Sequence, residues 1–231
     1  GTFATPKLLA DVHAPAADLP RGQAVYQEYC VQCHGLSGGG DGVTATSMYP
    51  RPRDYRKGLF KFASTPYGSR PLRSDLSRTI QRGVRGTSMP AFPLLSPADL
   101  DAVVDYVIML SRRGELEEQL SLTADSEEEV DPEIVADELV PLVVGRWAEA
   151  ELAQVRPLSL PRKFTDEHVT RGRQAFLSKG CSKCHGEDGR GQTADNRGTD
   201  AWGFPTRAAD LTSGLLHGGA HLGSVAFQSQ A

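Results

Sequence analysis

The chain has 231 residues, with 25 lysine or arginine side chains against 29 aspartate or glutamate and a formal net charge of −4. This balance provides no global basic field, so we expect no nucleic-acid partner. No apolar run approaches the roughly 18–20 residues of a membrane span. The first ten residues lack the charged region and apolar core of a signal peptide, so we expect a mature chain or one whose signal was removed. Only 39% of residues are hydrophobic, which is lean for two self-sufficient cores and indicates that something other than side chains fills the interior.

All four cysteines fall in two copies of one motif, C-x-x-C-H followed by glycine. This is the attachment signature of c-type haem. Two thiols about one helical turn apart reach the two vinyl groups on one edge of a porphyrin, and the histidine that follows supplies a proximal nitrogen to the iron. The sequence therefore predicts two covalently bound haem c groups. The attachment residues are Cys30, Cys33, Cys181 and Cys184, and the proximal ligands are His34 and His185.

Three other interpretations of the cysteines explain less of the pattern. A thioredoxin-like C-x-x-C needs a βαβ setting and has no use for the histidine. A zinc site built from both pairs would join distant parts of the chain and leave two histidines unused. Two disulfides would leave the repeated histidine and glycine unexplained.

The chain upstream of the two motifs also repeats. Gly22 and Tyr26 precede the first motif, and Gly172 and Phe176 precede the second. Each glycine and aromatic residue are four apart and share one face of a short helix. We expect each glycine to admit a second helix and each aromatic ring to pack beside the haem. Repetition over this length indicates two tandem domains rather than a solenoid.

The first copy continues to a final helix. Ser96, Pro97 and Asp99 are an N-cap, a first-turn proline and an acid at the third position, and apolar residues follow at helical spacing. Residues 112–114, Arg-Arg-Gly, have the cations and the glycine that are typical of a helix end. We therefore predict a helix that begins at residue 97 and ends at Gly114.

Residues 15–114 resemble a class I cytochrome c domain, with an N-terminal helix, C-x-x-C-H, loops, a Gly-Thr-Ser-Met-Pro turn and a C-terminal helix. By that resemblance Met89 is the sixth ligand of the first iron. The other two methionines, Met48 and Met109, lie near the loop start and in the last helix. The resemblance implies an all-α fold of two tandem class I cytochrome c domains joined by an acidic, partly helical linker. Its segments are an N-terminal extension 1–14, domain 1 at 15–114, the linker at 115–164 and domain 2 at 165–231.

Domain 2 departs from this pattern because it contains no methionine. Nothing after Leu216 resembles a closing helix, so the domain looks incomplete at its C-terminus. Three explanations stay open: the natural chain continues and carries the missing ligand, His217 or His221 ligates the second iron, or that iron is five-coordinate and open to a small ligand.

Charge is unevenly distributed along the chain. Residues 115–138 contain 11 acids and no base, which is typical of a solvated linker, whereas residues 50–90 contain 10 lysines or arginines and two acids. We expect some arginines to bind haem propionates and the surplus to dock an acidic redox partner or the protein's own linker. The arginines concerned are Arg51, Arg53, Arg56, Arg70, Arg73, Arg78, Arg82 and Arg85. Residues 133–155 are predicted to be helical, with a break at Pro141 and with Trp147 packed between the domains.

The resemblance implies a diheme c-type cytochrome that carries electrons between extracytoplasmic redox partners. A His–Met iron is six-coordinate and has no open site for substrate, so domain 1 should be the higher-potential carrier. We therefore favour an electron carrier over an enzyme and assign no catalytic residue. The missing methionine leaves open a diheme enzyme, peroxidase-like or thiosulfate-oxidising, and a haem gas sensor. What is known of c-type cytochromes implies a bacterial periplasmic or otherwise extracytoplasmic location.

Overall fold

The computed structural model describes residues 18–126, 130–155, 163–195, 198–199 and 203–213. They divide into two units, the first containing the described residues up to 155 and the second those from 163 onward. The candidate ligands His217 and His221, like the N-terminal extension 1–14, lie outside the described residues.

Helices dominate the described part of the chain, which confirms the all-α fold class. No described helix is long and apolar enough to cross a membrane. The helices of the first unit are α1 (Leu19–Tyr29), α2 (Val31–His34), α3 (Arg73–Arg82), α4 (Pro97–Ser126), α5 (Pro132–Ile134) and α6 (Val140–Leu152), with a single 3₁₀ turn at Ala45–Ser47. The second unit contains α7 (Asp166–Ser178), α8 (Cys181–His185), the antiparallel strands β1 (Gly198–Thr199) and β2 (Pro205–Thr206), and a 3₁₀ turn at Leu211–Ser213.

Helices α1 and α4 pack closely at Gly22. A Cβ atom at Gly22 would overlap the carbonyl oxygen of Ala102, so only glycine fits there. Beside this contact Arg21 Nε donates to Asp99 Oδ1 at 2.8 Å. The prediction that Gly22 admits a second helix is confirmed. The buried apolar residues of this core are Val25, Tyr26, Tyr55, Leu76, Ile80, Leu100, Val103, Val104, Val107 and Leu110.

Helix α4 begins as predicted and ends later than predicted. Ser96 Oγ accepts the backbone N–H of Asp99 at 3.1 Å, which is the expected N-cap. The predicted end at Gly114 is wrong, because the helix continues to Ser126. Gly114 serves a different purpose: a Cβ atom there would overlap the backbone of Arg56, so the missing side chain lets the 50–60 loop lie against the helix.

Glu115 is the buried centre of a charge network in the first unit. Its side chain is 1% exposed and accepts hydrogen bonds from the Arg70 guanidinium and from Trp147 Nε1, the latter at 2.8 Å. The Arg146 Nη1 atom lies 3.6 Å from the same carboxylate. These contacts join the basic region 50–90 to α4 and α6. The acidic region is therefore partly structural, and Trp147, predicted to pack between the domains, contacts Glu115 and Arg112 within the first unit.

The helical segment from 132 to 152 is irregular where the proline predicts a break. Residues Val135–Leu139 form a π turn between α5 and α6, and Pro141 lies in the first turn of α6. Proline has no N–H and its ring clashes with the carbonyl four residues earlier, so a widened turn before it accommodates the ring. This segment closes a second small core made of Leu116, Val135, Val140 and Val143.

The second unit has little side-chain interior in its described part. No residue of α7 or α8 is buried, and Phe164 and Val169 are exposed. A Cβ atom at Gly172 would meet nothing within 4 Å, so the described residues do not supply the helix partner predicted for it. Thr165 caps α7, and His168 Nδ1 accepts the backbone N–H of Thr165 at 3.2 Å.

Replacing Glu115 by alanine should lower the free energy of unfolding by about 3 kcal/mol, because Arg70 would remain buried without its carboxylate. Urea unfolding followed by far-UV circular dichroism measures the change. The matched control is Glu117→Ala on the same helix, whose ion pair with Arg113 at 2.7 Å is 54% exposed on both sides. The control should cost less than about 0.5 kcal/mol. Equal losses in the two variants would contradict a central role for Glu115.

Candidate haem-binding site

The first motif lies on one turn of helix directly after α1. The backbone N–H groups of Cys33 and His34 both donate to the Cys30 carbonyl, at 3.2 and 2.9 Å. None of the four cysteines, all of which lie among the described residues, is joined in a disulfide, so the alternative of two disulfides gains no support. The turn places two thiols and an imidazole within five residues, as covalent haem attachment requires.

The chemistry of Cys30 is that of a neutral thiol. Burial, and secondarily the nearby Cys33, raise the pKa of Cys30 to about 12. Thioredoxin-like nucleophiles need a thiol pKa below the ordinary value. The local environment therefore disfavours a redox-active thiol pair.

The His34 imidazole is buried and fixed at one nitrogen. Its Nδ1 donates to the backbone carbonyl of Arg53 at 3.1 Å, and burial lowers the pKa of His34, which favours the neutral ring. A carbonyl only accepts hydrogen bonds, so the proton is on Nδ1 and the lone pair is on Nε2. This is the tautomer that offers Nε2 to a metal.

The loop after the motif is held by glycines and by Tyr26. Gly35 has a φ of 74°, a conformation that favours glycine, and the Gly40 N–H returns to the His34 carbonyl at 2.9 Å. The buried Tyr26 hydroxyl donates to the Gly35 carbonyl at 2.8 Å. The aromatic residue of the sequence repeat therefore anchors the motif loop to α1.

The second motif repeats the backbone geometry of the first. His185 Nδ1 donates to the Ala209 carbonyl at 3.0 Å, the Gly191 N–H returns to the His185 carbonyl at 2.7 Å, and Gly186 has a φ of 75°. The surroundings differ, because Cys181 and Cys184 are exposed whereas the first pair is half-buried.

A threonine downstream of each motif also donates a hydrogen bond to a backbone carbonyl within the motif. Thr44 Oγ1 donates to the Gln32 carbonyl at 2.8 Å, and Thr193 Oγ1 donates to the Lys183 carbonyl at 2.7 Å. In both copies the accepting residue lies just before the second cysteine. The sequence analysis did not identify this pair, although both threonines lie at a similar distance after their motifs.

Met89 lies on a loop that is fixed at several points. Its backbone N–H donates to Thr87 Oγ1 at 3.1 Å, and its carbonyl accepts the Val84 N–H at 3.1 Å. Gly83 has a φ of 64°, and a Cβ atom there would lie 2.7 Å from the Met89 carbonyl oxygen. The half-buried Met89 side chain packs against the same core that contains Tyr55, the residue whose ring contacts His34.

Four of the eight arginines predicted to serve haem propionates are paired with acids of the first unit. The ion pairs are Arg56–Asp54 at 2.8 Å, Arg70–Glu115, Arg73–Asp105 and Arg78–Asp75. The contact of Arg70 with Glu115 also joins the basic region 50–90 to the acidic region 115–138. The sequence analysis named the protein's own linker as one of two possible partners of these arginines.

Two groups at the first site were missed by sequence reasoning. The Arg53 carbonyl is a main-chain acceptor and has no signature in the residue type. Tyr55 stands between the charged residues Asp54 and Arg56. A single aromatic residue in such a polar stretch is the sequence signal that could have predicted its burial at the site.

The residues present fit covalently bound haem. In the first unit the donor set is two thiols on one turn, an imidazole with Nε2 available, and a thioether that borders the same core. In the second unit no residue of α7 or α8 is buried by the described side chains. A haem bound against these helices would cover their exposed apolar side chains.

Comparison with known proteins agrees with this geometry. Residues 17–107 match the family model described as cytochrome c oxidase, cbb3-type, subunit III. No curated protein matches the chain. Among solved structures, the chain is similar to a chain of the reducing HAO-like protein complex of Kuenenia stuttgartiensis, with 30% sequence identity and a TM-score of 0.68. The similarity covers 90% of this chain and 80% of that chain.

The family match contains the first C-x-x-C-H motif and Met89, and the structural match extends over most of the sequence. A cytochrome c domain carries covalently bound haem c. Residues 17–107 therefore form a cytochrome c domain of the cbb3-type subunit III kind, and over most of its length the chain belongs to the same family as the chain of the reducing HAO-like protein complex.

Proposed function

We propose that the protein is a diheme electron carrier with one haem c in each unit. The observation that carries the proposal is the pair of imidazole–carbonyl hydrogen bonds, at 3.1 Å for His34 and 3.0 Å for His185. Each bond orients the ring and leaves Nε2 for iron. Haem, when bound, supplies a one-electron couple at its iron. The attachment residues are Cys30 with Cys33 and Cys181 with Cys184.

The proposed domain organisation follows the two motifs. Domain 1 comprises residues 15–114 and domain 2 begins at residue 165. The segment between them, 115–164, includes a part that packs on domain 1 through Glu115 and α6. That packing supports an independently folded first domain, because the segment adds a small apolar core and a buried ion pair to it.

Met89 is the proposed sixth ligand of the first iron. Its loop is hydrogen-bonded on both sides of the residue, through the Met89 N–H and the Met89 carbonyl. A sulfur ligand raises the potential of a haem, and a six-coordinate iron has no open position for a substrate. Both properties suit a carrier rather than an enzyme at this site.

Redox partner proteins are the proposed donors and acceptors, in the periplasm or another extracytoplasmic compartment. The solved structure that this chain resembles belongs to a protein complex. The basic region 50–90 remains the proposed docking surface for an acidic partner. Four of its arginines pair with acids of the first unit, and Arg82 and Arg85 are exposed cations of the same region.

Haem counting tests the diheme proposal directly. Protein produced in cells that attach c-type haem should contain two haems per chain by the pyridine haemochrome assay. The variants Cys30→Ser/Cys33→Ser and Cys181→Ser/Cys184→Ser should each contain one. A single haem in the unsubstituted protein would contradict the proposal. Carbon monoxide binding by the reduced second haem would favour the enzyme or gas-sensor alternative over a carrier.

Replacing Met89 by histidine should lower the reduction potential of one of the two haems and remove its sulfur-to-iron charge-transfer band, because an imidazole replaces the thioether. Potentiometric titration with optical detection measures both. The control is Met109→Leu, which removes a half-buried methionine on α4 and should leave the potential and the band unchanged. A band that survives in Met89→His would exclude Met89 as the ligand.

Electron transfer to an acidic partner should slow steeply as salt is added, because exposed charges are screened over roughly 8–10 Å at 0.1–0.15 M ionic strength. Stopped-flow oxidation of the reduced protein by an acidic and by a neutral small redox protein gives the two salt dependences. The double variant Arg82→Gln/Arg85→Gln should flatten the dependence for the acidic partner alone. Rates that ignore salt for both partners would contradict docking on the 50–90 region.

A further inference from the structure

Tyr55 is a buried aromatic residue that touches the proposed ligand of the first haem without being a ligand itself. Its ring is stacked on the His34 imidazole, with centroids 4.6 Å apart and an interplanar angle of 23°. The residue is 6% exposed, and its backbone N–H donates to the Gly38 carbonyl at 2.7 Å. Tyr55 is thus fixed to the loop that follows the motif.

One short segment constrains the imidazole in two different ways. The Arg53 carbonyl holds Nδ1, and two residues later the Tyr55 ring covers one face of the imidazole. A hydrogen bond at Nδ1 tolerates a broad range of angles at the carbonyl oxygen, so by itself it restrains rotation of the ring about Cβ–Cγ only loosely. A stacked aromatic ring opposes this turning, because tilting the imidazole would lose the face-to-face contact.

The Tyr55 ring is itself held by its neighbours. Phe60 is stacked on it, with centroids 5.8 Å apart and an interplanar angle of 12°, and Tyr26 meets it edge-on at 6.5 Å. Gly38 makes the space, since a Cβ atom there would lie 2.7 Å from Tyr55 Cδ2. A ring packed in this way transmits its own rigidity to His34.

The described residues of the second unit provide the hydrogen bond to the imidazole but no ring stacked on it. His185 keeps its carbonyl partner, Ala209. Its aromatic neighbour among the described residues is Phe176, with centroids 6.3 Å apart and an interplanar angle of 51°. The two histidines therefore share one constraint and differ in the other.

We propose that Tyr55 is a positioning residue that fixes the plane of the His34 imidazole on the first haem, a constraint that no described residue supplies to His185. The inference rests on the proposed function, since it takes His34 as an iron ligand. Groups that orient a metal ligand tune the metal they do not touch. With haem bound, a fixed ring plane would present the His34 imidazole to the first iron in one orientation.

The test uses the oxidised, haem-loaded full-length protein and the paramagnetic NMR shifts of the haem methyl groups, which depend on the orientation of the axial imidazole plane. Tyr55→Leu should change the methyl shifts of the first haem and broaden them through exchange between ring orientations. Tyr55→Phe keeps the ring and should retain the original pattern. The cysteine double variants, each with one haem, assign the signals to their haems.

Phe176→Leu is the matched control in the second unit, and it should leave the first haem's signals in place. Should Tyr55→Leu fail to fold, Phe60→Leu loosens the Tyr55 ring from its other contact and should produce the same change with smaller amplitude. First-haem shifts that stay the same in every foldable variant would overturn the positioning role. Absence of haem at Cys30 and Cys33 in the unsubstituted protein would instead overturn the proposed function.

Discussion

The hydrogen bond from a histidine Nδ1 to a main-chain carbonyl is the constraint on which both motifs depend. It requires the chain to turn back after the motif so that the carbonyl of Arg53 or Ala209 arrives beside the ring. The turn is possible because Gly35 and Gly186 adopt positive φ angles that other residues avoid. The glycine after each C-x-x-C-H therefore helps to set the orientation of the imidazole, since it starts the loop that brings the acceptor carbonyl to the ring.

Charged residues stabilise the interior of the first unit, which their distribution along the sequence does not predict. From the sequence alone, the acidic region 115–138 is interpreted as a solvated linker and the basic region 50–90 as a docking surface. Glu115 and Arg70 bring the two together in the interior, where Trp147 completes the hydrogen bonds of the carboxylate. A buried ion pair is expensive to desolvate and is tolerated only when it is fully hydrogen-bonded, so these residues also fix the position of α6.

Local signals were predictable and nonlocal ones were not. The cap at Ser96 and the close approach at Gly22 depend on spacing within one or two turns, and both were predicted from it. Gly114 after two arginines has the local pattern of a helix end, yet its glycine serves a loop 58 residues earlier in the chain. The stacking of Tyr55 on His34 likewise depends on how a loop returns, which residue types alone do not encode.

Two physical effects order the proposed haem couples in the same way. A thioether ligand raises the reduction potential of a haem. Met89 lies in the first unit, and the described residues of the second unit contain no methionine. Water stabilises the more highly charged oxidised iron, so greater exposure lowers the potential, and the second motif's cysteines are exposed while the first pair is half-buried. Since ligand and burial act in the same direction, the proposed first haem should have the higher reduction potential of the two.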